Sequence, residues 1–199
     1  REFDLGRELQ DGFALSSHQR AVAARERLRE EIVPVFPPPA CELVRDDLGP
    51  REGQTLEQLA RLRPCFDRRN GTVTVGNACP VTDGAVALLV GGEEAARDWP
   101  VSPLGRVRAW AVAGLDPRCM GLGPVHAIAR VLDQTGLSLD DLELFEINEA
   151  FAVQVLACLE TMRSTRFARA ELGRDRALGE IPLERLNVNG GAIALGHPV

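Results

Sequence analysis

The sequence contains no lysine and no tyrosine, and all 23 basic residues among its 199 are arginine. The absence of lysine excludes mechanisms that need that side chain, such as a Schiff base or the phosphate-binding lysine of a Walker-type loop. The formal net charge is −6, and an acidic chain lacks the basic surface that non-specific nucleic-acid binding requires. No run approaches the ~18 consecutive apolar residues of a transmembrane helix, so no membrane span is expected.

Metal-ligand and disulfide patterns are also missing. The five cysteines are an odd number, none of them forms a C-x-x-C pair, and only three histidines are available as co-ligands. We therefore expect no metal site, no disulfide framework and a reducing compartment, the cytoplasm. What is present, 45% hydrophobic and 26% charged residues, is typical of a globular protein that buries a core.

The two ends of the sequence predict a piece of a longer protein. The chain begins at Arg1 instead of a methionine, and it stops at Val199 within a glycine-rich run. The first residues do not have the pattern of a secretory signal peptide. Within the chain, the proline-containing stretch 93–105 is the best candidate for a domain boundary.

Hydrophobic periodicity predicts a layered α/β protein. A helix is expected over residues 7–31, with Leu9 and Phe13 on its buried face. Residues 83–90 form an apolar run that fits either a strand or a buried helix. The alternation of strands and helices beyond residue 105 indicates an α/β layer with its chemistry at the carboxyl ends of the strands. The other predicted elements are strands at 72–75, 107–113, 142–147 and 186–188 and helices at 55–62, 125–135 and 149–162, with a charged helical segment over 163–180.

The most specific stretch is residues 187–198, Asn-Val-Asn-Gly-Gly-Ala-Ile-Ala-Leu-Gly-His-Pro. Its glycines allow backbone or ligand to approach closely, and Pro198 favours an extended conformation at His197. A neutral imidazole at His197 can accept and return a proton near neutral pH. The alternative is a glycine-rich turn with a surface histidine, and the residues alone leave both interpretations open.

A second polar stretch, residues 146–152, lies where a predicted strand gives way to a helix. Asn148 is expected to be either the N-cap of that helix, the commoner role, or the holder of a water or an oxyanion through its amide. Glu146 and Glu149 are interpreted as solvated charges at the start of the helix rather than as a catalytic carboxylate pair.

Two further glycine-containing stretches carry weaker signals. Residues 120–124 contain a G-x-G, but His126 stands at the third glycine position of the dinucleotide-binding fingerprint, so a dinucleotide cofactor is not expected. Residues 76–84 form a turn-rich loop that can approach a ligand. Within it, Cys79 is interpreted as an inert small residue rather than as a nucleophile.

Taken together, these motifs resemble those of the thiolase family, the acyl-CoA acetyltransferases and 3-ketoacyl-CoA thiolases. Residues 189–198 are similar to the family's glycine-rich signature that ends in Gly-His-Pro, and residues 146–152 are similar to its Asn-Glu-Ala-Phe motif. The resemblance extends in the same order over nearly the whole chain, through residues 62–67, 71–77, 83–85 and 120–124.

The resemblance implies a layered α/β sandwich of two similar halves, each with a mixed five-stranded sheet between helices, incomplete in this chain. Residues 1–95 would be the end of the N-terminal thiolase domain, with part of the loop region that covers CoA. Residues 96–199 would be the C-terminal thiolase domain, truncated at its end. The full-length protein would be a homodimer or a homotetramer.

The resemblance also implies a reaction: acyl transfer between CoA and 3-ketoacyl-CoA through a cysteinyl thioester, in fatty-acid degradation, with CoA thioesters as substrates and no cofactor. His197 would activate the nucleophilic cysteine and form one arm of an oxyanion hole, and Asn148 would hold a water as the other arm. None of the five cysteines matches either catalytic cysteine of the family, so these 199 residues alone are expected to be inactive.

Further residues match the family's substrate-binding positions. Arg51 would contact phosphate near the nucleotide end of CoA, as suits a guanidinium. Phe66, Met120 and Phe151 would line the pantetheine or acyl pocket. Cys79 stands where many members have a serine that bonds pantetheine, and because a thiol is a weak donor that contact is expected to be weaker here.

Two alternatives stay open beside the enzyme. One is a non-catalytic thiolase-like protein that binds CoA or a partner subunit. The other is a related condensing enzyme, but those commonly use a Cys-His-His set, and Asn148 stands where the second histidine is expected. The length of the segment 163–180 favours a degradative thiolase over the shorter biosynthetic ones.

Overall fold

A computed structural model describes residues 3–198 of the chain. Arg1, Glu2 and Val199 lie outside the described residues, so the outer ends of the predicted domains 1–95 and 96–199 lie outside them too. In that part of the chain, no helix is long and apolar enough to cross a bilayer. The helices are α1 (Arg7–Ala23), α2 (Arg25–Leu28), α3 (Leu56–Ala60), α4 (Glu93–Asp98), α5 (Gly123–Thr135), α6 (Ala152–Met162), α7 (Thr165–Glu171) and α8 (Ala192–Leu195), with 3-10 turns at Pro117–Leu122, Leu139–Asp141 and Leu183–Arg185.

Helix α1 begins at the predicted residue but ends at Ala23 instead of residue 31, with the short α2 after it, and its buried face is more polar than predicted. Leu9 is 57% exposed, although the periodicity placed it inside. The buried residues are Gln10, Asp11, Ala14, Ser17, His18 and Ala21. Because the inner positions carry small or hydrogen-bonding side chains, neighbouring backbone can approach α1 closely. Apolar periodicity does not detect a face of this kind.

The apolar core lies around α5 and α6. Helix α5 forms as predicted and ends at Gly136, whose φ of +68° is the left-handed conformation that glycine adopts without a Cβ penalty. Helix α6 begins at Ala152, three residues later than the predicted start. The buried core residues are Val125, Leu132, Leu139, Phe145, Ile147, Val155, Cys158, Met162, Ile181 and Leu186.

The strand predictions are the main difference between sequence and structure. Within residues 3–198, extended pairing is limited to three isolated bridges: Val35 with Val44, Ala78 with Phe151, and Phe145 with Leu186. The bridge between Phe145 and Leu186 is parallel. It is the part of the strands predicted at 142–147 and 186–188 that forms. The predicted strand 107–113 does not form, and residues 83–90 are neither strand nor helix.

A strand needs a neighbour to satisfy its backbone N–H and C=O groups. In the described part of the chain, no strand pairs with residues 83–90 or 107–113. The side chains of Val86, Val90, Val107 and Trp110 are all at least 74% exposed. Their β-branched and apolar composition is therefore not sufficient to form the expected five-stranded sheets within these residues.

The predicted strand 72–75 is replaced by a turn, because the Asn77 side chain accepts the backbone N–H of Thr74. The Oδ1 of Asn77 accepts from the Thr74 N–H at 2.8 Å, and its Nδ2 donates to the Thr72 carbonyl at 3.1 Å. The same Nδ2 donates to Asp11 Oδ1 of α1 at 2.8 Å. Asn77 is fully buried, so this one amide folds the loop and joins it to α1.

Arg7 at the start of α1 completes the cluster. Its Nη2 lies 2.9 Å from Asp11 Oδ2, and its guanidinium also donates to the carbonyls of Leu59 (2.8 Å) and Leu62 (3.1 Å) at the end of α3. The buried Asp11 carboxylate is thus paired with a cation and hydrogen-bonded on both oxygens. This arrangement offsets the cost of burying the charge.

Removal of the Asn77 amide should destabilise the fold measurably. In the natural polypeptide that contains these residues, we expect Asn77→Ala to lower the free energy of unfolding by about 2–4 kcal/mol, since buried partners lose their bonds. Urea denaturation measures the change. Asn70→Ala is the matched control, because Asn70 is exposed and should shift stability by no more than about 0.5 kcal/mol. Equal effects of the two changes would contradict the role given to Asn77.

Candidate functional site

Two stretches of the chain that the sequence singled out lie side by side next to α1. The Cys79 N–H donates to the Ala150 carbonyl at 3.0 Å, and the Ala152 N–H donates to the Asn77 carbonyl at 2.9 Å. These bonds flank the antiparallel bridge between Ala78 and Phe151. The loop 76–84 is therefore attached to the stretch 146–152 directly before α6 begins.

The glycine-rich stretch 187–198 packs on the same loop. A Cβ at Gly196, whose φ is +99°, would lie 2.4 Å from Thr82 Oγ1. A Cβ at Gly84 would lie 2.6 Å from Pro198 Cγ. His197 lies between these two packed neighbours and is itself partly buried. The close approach predicted for the glycines is confirmed, and it brings the histidine to the loop that carries Cys79.

Glu149 is the centre of a buried hydrogen-bond network. It is 1% exposed, so its interpretation as a solvated charge is wrong. Its Oε2 accepts from Ser17 Oγ at 2.7 Å and from the Ile193 N–H at 3.1 Å, and its Oε1 accepts from Asn187 Nδ2 at 2.8 Å. The Glu149 carboxylate therefore connects the stretch 146–152 to α1 and to the glycine-rich stretch.

Glu146 differs from Glu149 in its surroundings. It is exposed, as predicted. The pKa of its carboxyl is raised, first by partial desolvation and second by the negative charge of Glu149. The two carboxylates therefore do not act as a matched pair.

Asn187 supplies the second fixed point of this network. Its Oδ1 accepts from the Ile147 N–H and its Nδ2 donates to the Ile147 carbonyl, both at 2.9 Å, so the side chain pairs with backbone as a strand neighbour would. The bridge between Phe145 and Leu186 lies immediately before it. Asn187 adopts a φ of +47°, a left-handed conformation that asparagine tolerates better than most residues.

Gly190 and Gly191 leave the space that the network occupies. A Cβ at Gly191 would lie 2.2 Å from Glu149 Cδ, and a Cβ at Gly190, whose φ is +82°, would lie 2.6 Å from Ala21 Cβ of α1. The Gly191 N–H donates to Ser17 Oγ at 3.0 Å. Any side chain at these two positions would push the glycine-rich stretch away from α1 and from Glu149.

Asn148 is exposed and is not a helix cap. Helix α6 begins at Ala152 with Phe151 at the N-cap position, so the capping interpretation of Asn148 is wrong. Within residues 3–198, no hydrogen bond joins Asn148 to His197. The two are connected through Glu149, the neighbour of Asn148, and through its bond to Ile193 in the helix that leads to His197.

The two phenylalanines predicted to line a pocket contact one another. The rings of Phe66 and Phe151 lie edge to face, with centroids 6.1 Å apart, and Phe66 is 77% exposed.

Cys79 is partly buried, and that burial raises the pKa of its thiol. A raised thiol pKa reduces the thiolate fraction, in agreement with an inert cysteine.

Met120 lies in the 3-10 turn Pro117–Leu122 and is 73% exposed. The next residue, Gly121, fixes this turn to α6: its carbonyl accepts from Gln154 Nε2 at 3.1 Å and from Cys158 Sγ at 3.2 Å. The turn that carries Met120 is thus held against the first half of α6, the helix that begins directly after Phe151.

Arg51 is connected to the site through α1. Its backbone N–H donates to His18 Nδ1 at 3.3 Å, and its own side chain is exposed. His18 is 4% exposed and follows Ser17 in the chain. Burial, and second the positive charge of Arg51, lower the pKa of His18, which favours the neutral ring that can accept at Nδ1.

Sequence reasoning missed Ser17, Asn187 and the burial of Glu149. A signal was available in part, because Ser17 and His18 are polar residues on the helix face that the chain buries.

Among residues 3–198, no group of three His, Cys, Asp or Glu side chains is placed to hold a metal ion.

The chain is similar to known proteins over its whole length. Models described as "Thiolase, N-terminal domain" and "Thiolase, C-terminal domain" match residues 1–94 and 101–199. A 3-ketoacyl-CoA thiolase of Yersinia enterocolitica is 41% identical over 201 residues, covering 100% of this chain and 46% of the relative. The dimeric peroxisomal thiolase of Saccharomyces cerevisiae superposes with a TM-score of 0.85 at 39% identity, and human mitochondrial 3-ketoacyl-CoA thiolase with 0.82 at 40%. Each alignment covers 99% of this chain and 46% of the solved one, so the chain spans about half the length of its relatives.

The contact between Gly191 and Glu149 can be tested by adding one methyl group. We expect Gly191→Ala to lower the free energy of unfolding by at least about 2 kcal/mol, because the buried carboxylate must move. Gly12→Ala in α1 is the control: a Cβ there meets nothing within 4 Å, so alanine should raise stability by about 0.5–1 kcal/mol. Urea denaturation of both variants measures the changes. Stabilisation by Gly191→Ala would contradict the packing.

The lowered pKa of His18 predicts a specific pH dependence of stability. The unfolded chain protonates this histidine below about pH 6.5, whereas the folded chain does so only at lower pH. As the pH falls through that window the unfolded state binds more protons, so stability decreases. Comparison with His18→Gln, which keeps a hydrogen-bond acceptor but does not titrate, isolates the effect. We expect the difference in unfolding free energy, wild type minus variant, to fall from about pH 7.5 to 5, and a constant difference would contradict the prediction.

Proposed function

Because this chain belongs to the thiolase family, we propose that the protein containing it transfers acyl groups between CoA and 3-ketoacyl-CoA through a cysteinyl thioester. The observation that carries the proposal is that the stretches 146–152 and 187–198 lie beside the loop 76–84, which brings their chemical groups into one region. Relatives named 3-ketoacyl-CoA thiolase align over the whole chain. The chain spans 46% of these relatives, so the reaction belongs to the whole protein.

In the proposed cleavage, a cysteine thiolate supplied by another part of the protein attacks the 3-keto carbon of the substrate. The bond between carbons 2 and 3 breaks, the acyl group stays on the sulfur as a thioester, and acetyl-CoA leaves as its enolate. CoA thiolate then attacks the thioester and releases the shortened acyl-CoA. No oxidant or reductant is consumed. The family resemblance supports this scheme.

His197 and Asn148 have defined roles in the scheme. The imidazole of His197 takes the proton of the nucleophilic thiol. It then donates a hydrogen bond to the negative oxygen that develops on the thioester. The Asn148 amide holds a water that donates to the same oxygen. A second cysteine, also outside these residues, protonates the enolate. The exposure of Asn148 and the partial exposure of His197 support these roles, because both side chains are accessible to a substrate.

The substrate is proposed to lie along the exposed apolar side chains of this region. Phe66, Met120 and the ring of Phe151 offer surface for pantetheine or the acyl chain, and Arg51 offers a guanidinium for a CoA phosphate. Cys79 takes the place of a pantetheine-bonding serine, and its partial burial beside Phe151 supports a role in the wall of the site.

The assembled protein is proposed to be a degradative thiolase of fatty-acid metabolism, a homodimer or homotetramer, with residues 1–95 and 96–199 belonging to its two domains. The solved yeast relative is described as dimeric. The exposed apolar runs 83–90 and 107–113 support the five-stranded sheets, because other parts of the protein would pair with them. The cytoplasm stays a prediction. The yeast relative is peroxisomal and the human one mitochondrial. No contact of the described residues favours the non-catalytic alternative.

The proposal is tested by replacing the histidine in the natural polypeptide that contains these residues. We expect His197→Ala to lower kcat for thiolysis of a 3-ketoacyl-CoA by at least about 100-fold, because it removes the base and one oxyanion donor. Loss of the substrate's enolate absorbance measures the rate. His126→Ala is the control, because the His126 ring packs edge to face against Phe167, with ring centroids 5.6 Å apart, and has no proposed role.

Two outcomes would refute the proposal. A His197→Ala variant with the activity of the parent protein would remove the assigned role. A parent protein that binds CoA without thiolysis would establish the non-catalytic alternative instead.

A further inference from the structure

We propose that Glu149 is the positioning residue of this site: its buried carboxylate holds Asn148 and the stretch that carries His197 in one fixed relation. The inference rests on the proposed function and adds a residue to it. Glu149 does not touch the reacting atoms in this scheme, and it acts through its two neighbours.

The three groups that surround the carboxylate are all donors. Ile193 contributes a backbone N–H in the first turn of α8, where no residue of the same helix accepts it. Asn187 contributes its Nδ2, because its Oδ1 already accepts from the Ile147 N–H. An inverted amide would lose these two bonds and the bond to the Ile147 carbonyl, so the side chain has one orientation.

Toward Glu149, Ser17 also acts as a donor. Its oxygen accepts from the Gly191 N–H at 3.0 Å, which leaves its own proton for Glu149 Oε2 at 2.7 Å. Three donors therefore converge on two oxygens. An ionised carboxylate is the side chain that accepts from all three, whereas a glutamine would place an amide N–H against one of these donors.

The charge of Glu149 is not neutralised by an ion pair. Among residues 3–198, no arginine forms a salt bridge with it, in contrast to Asp11, which pairs with Arg7 at 2.9 Å. A buried charge held only by hydrogen bonds contributes less to stability than a well-packed apolar residue would. Its benefit is geometric, since its three bonds join the stretch 146–152 to α1 and to the glycine-rich stretch 187–198.

Both proposed oxyanion arms depend on this carboxylate. Asn148 precedes Glu149 in the chain, so its Cα lies about 3.8 Å from that of Glu149. Ile193 belongs to α8, which is followed by Gly196 and then by His197. Glycine at position 191 leaves no free space around the carboxylate, because a Cβ there would lie 2.2 Å from Glu149 Cδ. Displacement of the carboxylate would move both arms, and an error of about 1 Å costs about 100-fold in rate.

The experiment uses the natural polypeptide that contains these residues, with the variants Glu149→Gln, Asn148→Ala and the double variant. We expect Glu149→Gln to lower kcat for thiolysis by about 10- to 100-fold, with the KM for CoA changed by less than about 3-fold. The double variant should lose less activity than the product of the two single losses, because Glu149 acts through Asn148.

Asp11→Asn is the matched control. Asp11 is also a buried carboxylate, 3% exposed, and it joins α1 to the loop that carries Asn77. The Asp11→Asn variant should lower the melting temperature as much as Glu149→Gln does, while its kcat stays within about 3-fold of that of the parent protein. An equal loss of kcat in Asp11→Asn would show a general structural effect and overturn the proposal. So would a Glu149→Gln variant with parental kcat, or single losses that multiply in the double variant.

A milder pair of variants covers the case in which Glu149→Gln does not fold. Ser17→Ala removes one donor and should lower kcat, and Ser17→Thr, which keeps the hydroxyl, should restore it. Parental kcat in Ser17→Ala would overturn the proposal. A parent protein without thiolysis refutes the proposed function, whereas an active parent with an active Glu149→Gln variant refutes the positioning role alone.

Discussion

The hydrogen bond from Ser17 to Glu149 joins residues 132 positions apart, and the arrangement of the candidate site depends on it. Without the Ser17 hydroxyl, the Gly191 N–H would lose its acceptor and the Glu149 carboxylate would lose one donor, and unsatisfied buried groups cost more than the bonds themselves contribute. Helix α1 therefore acts as a polar support. Asp11 holds the loop 72–77, Ser17 holds the glycine-rich stretch, and Arg20 donates to the Leu186 carbonyl.

The same constraint accounts for the composition of the glycine-rich stretch. The Gly191 N–H and the Glu149 carboxylate must both lie within hydrogen-bonding distance of Ser17 on α1. A Cβ at position 190 or 191 would occupy that space. Positive φ values at Asn187, Gly190 and Gly196 turn the chain so that it passes α1, the carboxylate and then Thr82 in order. His197 follows directly. The histidine is thus positioned by backbone geometry, and the proposed chemistry depends on that geometry being held.

The exposed apolar runs show the opposite situation. The comparisons confirm a thiolase-like α/β class, yet residues 83–90 and 107–113 have strand-like composition and no strand neighbour among residues 3–198. Helix α5, by contrast, forms as predicted, because a helix satisfies its backbone within its own segment, whereas a strand depends on a partner. The helix, whose hydrogen bonds are local, forms as predicted, and the strands, whose hydrogen bonds need a distant partner, do not.

By itself, the sequence determined the helices α1, α3 and α5, the family resemblance and the two motifs that carry Asn148 and His197. These depend on local spacing and on short-range chemistry. Only the tertiary structure decided that α1 buries a polar face, that Asn148 is not a cap, and that Glu149 is buried while Glu146 is exposed. The physical reason is that burial of a charged or polar group depends on donors from distant parts of the chain, and the fold brings those donors together.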